Sequence, residues 1–134
     1  MNAVDTNVLI YAQDPRDLRK KAIARALIIN LRNGALLWQV ACEYVNSSRK
    51  LVPHGLDHSQ VWEHVRTFQR TWKLIPPNGA VFNESERLFK RYSLSTWDSM
   101  LVAACLVGGV ERLYTEDFDA YGQIDSLQII NPFR

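Results

Sequence analysis

The stretch Ala3-Val4-Asp5-Thr6-Asn7-Val8-Leu9-Ile10-Tyr11-Ala12 decides how the rest of the chain reads. Its first three residues predict a short strand ending at Asp5. Residues 7–12 predict a brief helical turn, and Asp14-Pro15 then breaks the chain. An acid between an apolar strand and an apolar turn is costly to bury unless it is paired or bound to a cation. Asp5 therefore reads two ways, as the N-cap of the turn or as part of a charged site.

Outward from this stretch, strands and helices alternate. Ala22, Ile23, Ala26, Leu27 and Leu31 fall at helical spacing and predict a helix over 16–31, stopped by Asn33-Gly34. Residues 35–38 fit a second strand. A helix over 39–51 follows, with Val40, Ala41, Tyr44 and Val45 on its apolar side and Gln39, Glu43, Asn46 and Lys50 on the other. Asp57 is placed to cap a helix running to about residue 72. Residues 73–75 form a strand ended by Pro76-Pro77, and 80–92 another amphipathic helix. Within the helix predicted over 97–107, residues 100–107 are apolar on every side, as in a buried helix, and Gly108-Gly109 ends it. Two last strands are expected at 112–115 and 127–130.

This alternation predicts an α/β fold of three layers, α/β/α, around a mainly parallel sheet. Ligand crevices in such sheets lie beyond the carboxyl ends of the strands. That rule brings Asp5 toward Thr115, Glu116, Asp117 and Asp119, which follow a later strand.

The chain has 134 residues, the size of one domain spanning 1–134. A hydrophobic content of 47% and a formal net charge of only +2 exclude a disordered chain and a histone-like polycation. Arg16, Arg19, Lys20, Lys21 and Arg25 cluster, and Arg49-Lys50 and Lys90-Arg91 form pairs. Such groups are either solvated helix faces or contacts for a nucleic-acid backbone. Cys42 and Cys105 sit in apolar helical contexts and read as two buried thiols in a reducing compartment. No leader-like or membrane-length apolar run is visible, so a soluble cytoplasmic protein is expected. Zinc-ligand spacing, a P-loop, a dinucleotide glycine loop and a Gly-x-Ser-x-Gly elbow are all missing, which leaves metal–carboxylate chemistry or none.

Mg²⁺ and Mn²⁺ favour hard oxygen donors. Asp98 is a candidate at the start of the apolar helix, and Ser95-Thr96-Trp97-Asp98 equally fits a capping box. Glu43 lies on the polar side of its helix, where exposure is the default. Glu116, Asp117 and Asp119 crowd one loop, so at least one is expected to act.

Several segments together resemble the PIN-domain nucleases. Residues 4–12 look like the opening motif, and Trp38-Gln39-Val40-Ala41-Cys42-Glu43-Tyr44 like the second acidic motif. Ser95-Thr96-Trp97-Asp98 and the apolar run after it look like the third. Leu113-Tyr114-Thr115-Glu116-Asp117-Phe118 resembles the fourth, and Ile129-Ile130-Asn131-Pro132-Phe133 a common ending. The subgroup most resembled is the toxin of bacterial VapBC-type toxin–antitoxin pairs. The resemblance implies a Mg²⁺- or Mn²⁺-dependent ribonuclease with Asp5, Glu43 and Asp98 as principal acids and Asp117 as the fourth, with Glu116 second to it. It places Thr115 beside the metal and Asn7 in support of the first strand's end. It also implies an RNA substrate, an antitoxin partner and a homodimer. Arg16, Arg19, Lys20 and Arg49 are then candidates to hold the RNA backbone. A PIN-like module that binds RNA or protein without chemistry is the rival. An aspartyl phosphatase would need a second acid where Asn7 stands.

Overall fold

β1 (Asn2–Val4) lies at the centre of the sheet, and its carboxyl end leads directly into α1 (Thr6–Tyr11). The computed structural model describes residues 1–118 and 120–134; Asp119, one of the three loop acids, lies outside the described residues. After α1 come α2 (Leu18–Asn30), β2 (Gly34–Leu37), α3 (Trp38–Ser47) and a 3-10 helix (Ser48–His54). Then follow α4 (Ser59–Thr71), β3 (Lys73–Ile75), α5 (Gly79–Tyr92) and α6 (Thr96–Gly108). β4 (Arg112–Tyr114), β5 (Gln123–Ile124) and β6 (Leu127–Ile130) end the chain.

The six strands are ordered β3-β2-β1-β4-β6-β5, parallel except for β5 against β6. From β1 the chain steps outward through β2 to β3, then returns to place β4 on the other side of β1. That reversal is the switch point at which α/β sheets open a crevice, and Asp5 stands on it. Central strands in such a sheet are covered on both faces, so Ala3 and Val4 in β1 and Ala35, Leu36 and Leu37 in β2 are buried in succession.

The α/β reading holds, with local differences. The helix expected over 39–51 ends as an α-helix at Ser47 and continues as the 3-10 helix that contains Pro53. Proline has no N–H to donate and disfavours helical geometry in the residue before it. β5 was not expected, because two residues carry no periodicity. Arg16 lies outside α2, which starts at Leu18 with the Asp17 side chain accepting from the Lys20 N–H. Asp57 stands one residue before the helix's capping position, yet its carboxylate accepts from both the N–H and hydroxyl of Ser59. Of the two cysteines only Cys105 is buried, and both thiols are free.

α6 is also not buried all round. Leu101, Val102, Ala103 and Cys105 face the core, whereas Met100 and Ala104 line a surface groove and Val107 is exposed. Gly34 marks a close approach: a Cβ there would lie 2.3 Å from Cδ1 of the Trp72 ring. Asn33 takes the left-handed backbone, φ 49°, that turns the chain into β2.

Candidate active site

Asp5 is the N-cap of α1 and is also buried, with only 5% of its surface exposed. The N-cap reading therefore holds, and the residue is buried as well. Its Oδ1 accepts from the Thr6 N–H at 2.7 Å and its Oδ2 from the Thr115 hydroxyl at 2.8 Å. Its own N–H donates to the Tyr114 carbonyl at 2.9 Å, which fixes the end of β1 against the end of β4. Burial pushes the Asp5 carboxyl up to about 6; the two hydrogen bonds oppose that shift, and the charges of Asp117 and Glu43 add to it.

Thr115 is the hub. It is fully buried, and besides donating to Asp5 its oxygen accepts from the Asn7 side-chain amide at 3.0 Å and the Asp117 N–H at 3.0 Å. The Asn7 amide also reaches Asp117 Oδ2 at 3.3 Å. Asn7 thus ties the loop after β4 to the first turn of α1, which supports that loop and supplies no second acid.

Glu43 sits two turns from the end of β2, where α3 carries it across to α1. Its Oε2 accepts from the Thr6 hydroxyl at 2.8 Å and its Oε1 from the Gln39 amide at 2.8 Å. Gln39 also donates to the Trp97 carbonyl at 3.1 Å, linking α3 to the start of α6. There the Ser95 hydroxyl accepts the Asp98 N–H at 3.1 Å, so the capping reading holds and leaves the Asp98 carboxylate for other work.

Asp5, Glu43, Asp98, Glu116 and Asp117 all line one polar crevice of about 330 Å³. Thr6, Gln39 and Tyr11 line it too, and none of the three stood out in the sequence as a site residue. Arg16 and Lys50 are its cations. Arg16 chelates Asp14 with two side-chain bonds at 3.0 and 2.9 Å and holds that carboxyl below the usual range. Lys20 bonds Glu116 at 2.9 Å. Arg19 instead donates to the Phe133 carbonyl at 2.6 Å, and Arg49 is exposed and outside the crevice lining. Lys50 lines the crevice, and in the sequence it falls on the same side as Glu43 of the helix expected over 39–51.

The donor chemistry suits a hard divalent cation, since every acid offers oxygen and the charges of Asp117 and Glu43 add to the burial that raises Asp5. Among the described residues no three metal-ligating side chains are gathered at binding distance.

A family model described as PIN domain matches residues 3–125. A search of curated proteins finds no match. Solved structures similar in fold include a toxin–antitoxin complex from Klebsiella pneumoniae, 20% identical, covering 98% of each chain with a TM-score of 0.69. VapC20 of Mycobacterium tuberculosis, described as a sarcin-ricin loop cleaving toxin, is 15% identical over 96% of this chain and 99% of its own, with a TM-score of 0.70. VapBC2 of Rickettsia felis, bound to a promoter DNA fragment, is 14% identical over 96% of each chain, with a TM-score of 0.65.

Proposed function

The chain belongs to the PIN-domain family, and from that premise we propose that it is a Mg²⁺- or Mn²⁺-dependent endoribonuclease, the VapC-type toxin of a toxin–antitoxin pair. The observation that carries this reading is the buried Asp5 at the sheet's switch point, with Glu43, Asp98 and Asp117 on the same crevice. These four acids are the proposed ligands. A cation bound by them would supply Lewis acidity toward a phosphodiester and lower the pKa of an attacking water.

The chain's own residues do the positioning. Thr115 and the Thr6 N–H hold both oxygens of Asp5 in one orientation. The Thr6 hydroxyl and Gln39 do the same for Glu43. Asp98 enters from the amino end of α6, in its first turn. Lys50 and Arg16 at the crevice wall suit contacts to RNA phosphates.

A module that only held RNA would gain nothing from turning several carboxylates toward phosphates. The test is cleavage of RNA by the purified chain with and without Mg²⁺ or Mn²⁺. If Asp5→Asn and Asp98→Asn variants cut as fast as the parent, the reading is wrong.

Two partners belong to the same proposal. An antitoxin would cover exposed apolar residues such as Leu18 and Ile29 on α2 and Trp62 on α4. A second copy would pack on Phe82 and Phe89 of α5. Among the described residues no helix is long and apolar enough to cross a membrane.

A further inference from the structure

Glu116 and Asp117 are neighbours in the loop after β4, and both line the crevice, but their surroundings differ. Glu116 belongs to a cluster that the sequence does not hint at. Its Oε1 accepts from the Tyr11 hydroxyl at 2.7 Å, and its Oε2 from the Lys20 ammonium at 2.9 Å. Lys20 also donates to the Tyr11 hydroxyl at 3.2 Å, closing a three-membered ring of polar contacts. The ammonium lies 4.5 Å from the centre of the Tyr11 ring and 5.4 Å from that of Phe133, and the two rings meet edge to face at 5.0 Å. Arg19, next to Lys20, anchors the Phe133 carbonyl. Four segments therefore converge on one ion pair: the end of α1, the start of α2, the loop after β4 and the chain's last residues.

The Lys20 and Glu116 side chains are 27% and 28% exposed, so the pair is partly shielded from solvent and more strongly coupled than a surface pair. It stands beside a site whose substrate is anionic.

We propose that Lys20 is a positioning residue: with Tyr11 it holds both oxygens of Glu116, keeping that carboxylate neutralised at the crevice wall, so that an RNA strand meets one negative charge fewer. This rests on the nuclease reading, and it leaves Asp117 as the fourth acid. Lys20 acts through Glu116 rather than by touching phosphate.

A double-mutant cycle tests it. Affinity for a labelled single-stranded RNA oligonucleotide is read by fluorescence anisotropy with Mg²⁺, in an Asp98→Asn background that prevents cleavage. Lys20→Met keeps the aliphatic stem against Tyr11 and Phe133, and Glu116→Gln keeps an acceptor for Tyr11. Lys20→Met should weaken binding roughly fivefold, and Glu116→Gln should tighten it by a similar factor, as one net charge does at a part-solvated site. With the carboxylate gone Lys20 has nothing to neutralise, so the double variant should bind to within about twofold of Glu116→Gln alone. Tightening by Glu116→Gln is the readout that a merely structural role would not produce.

The inference is overturned if the double variant binds as weakly as Lys20→Met, because Lys20 would then contact phosphate itself. It is equally overturned if neither single change alters affinity. The cycle reads affinity alone, whereas loss of metal-dependent cleavage in the unmodified chain would count against the nuclease reading, so the two failures are distinct.

Discussion

Two cavities of this molecule share Gln39 and Glu43 and differ in nearly everything else. The larger, about 550 Å³, runs between α3, α5 and α6 and is lined by Trp38, Phe82, Trp97 and Met100. The smaller, about 330 Å³, opens at the ends of β1 and β4 and is lined by carboxylates. In the groove, Phe82 and Trp97 are 69% and 66% exposed and their apolar surface remains in contact with water. In the crevice, a carboxylate is 95% removed from solvent and repelled by its neighbours. Size and apolarity mark where the molecule has surface to cover. Charge held under desolvation marks the candidate site for chemistry.

The comparison breaks most readily through activity. Asp5→Asn or Asp98→Asn should lower RNA cleavage by about 10³-fold, because metal-assisted steps draw several kcal/mol from the ligand set. Initial rates with a labelled oligonucleotide measure this. Rates within threefold of the parent would mean that the crevice is not the active site.

Next in size is packing beneath the crevice. Leu101→Ala removes a buried side chain from the crevice floor and should cost about 3 kcal/mol in urea unfolding. A loss under 1 kcal/mol would mean that the floor collapses around the gap.

The third prediction has the opposite sign. A folded-state carboxyl at about 6 against an ordinary value of 3.8 means that the native state binds the proton more tightly than the unfolded one. Charged Asp5 therefore destabilises the metal-free fold at pH 7 by roughly 3 kcal/mol, a net figure that already includes its hydrogen bonds; Asp5→Asn, with one acceptor oxygen where Asp5 has two, recovers about half of it. Asp5→Asn should raise the metal-free melting temperature by about 5 °C at pH 7. The penalty is present above about pH 6 and fades as pH falls through that value toward 3.8. The gap between the two melting curves should shrink over that window. A constant gap from pH 4 to 8 would show that Asp5 carries no such penalty. The same substitution would then trade activity for stability, as expected of a charge kept for function.

The smallest effect is expected in the groove. Phe82→Ser should change stability by no more than about 0.5 kcal/mol, since the ring is mostly exposed. It should nevertheless shift the chain from dimer to monomer in light scattering if a second copy covers this face. A dimer unaffected by the change would move that interface elsewhere, leaving the aromatic groove without a role in self-association.

How far the site was readable depends on the kind of signal each residue carries. Asp5 was visible because a charge between two apolar segments breaks a local pattern. Asp98 was visible as the fourth residue of a capping box, a contact spanning three positions. Glu43 fell on the polar side of its helix, where periodicity alone gives no reason to select it, and only its likeness to a known motif singled it out. Its placement depends on α3 meeting α1, where the Thr6 hydroxyl fixes it from 37 residues away. Lys20 was grouped with its basic neighbours as an RNA contact, yet its partner Glu116 is 96 residues distant. Arg19 belonged to the same group and turned out to hold the chain's end.

The sequence by itself determined the alternation of strands and helices, and with it the parallel sheet and the carboxyl-end placement of the acids. Hydrophobic periodicity and turn chemistry act over a few residues and survive without tertiary context. Only the tertiary structure decided which polar groups meet: Lys20 with Glu116, and Thr115 with Asp5 and Asn7. Ion pairs and hydrogen bonds depend on distances through space of about 3 Å, and sheet packing sets those distances between residues that the sequence keeps far apart.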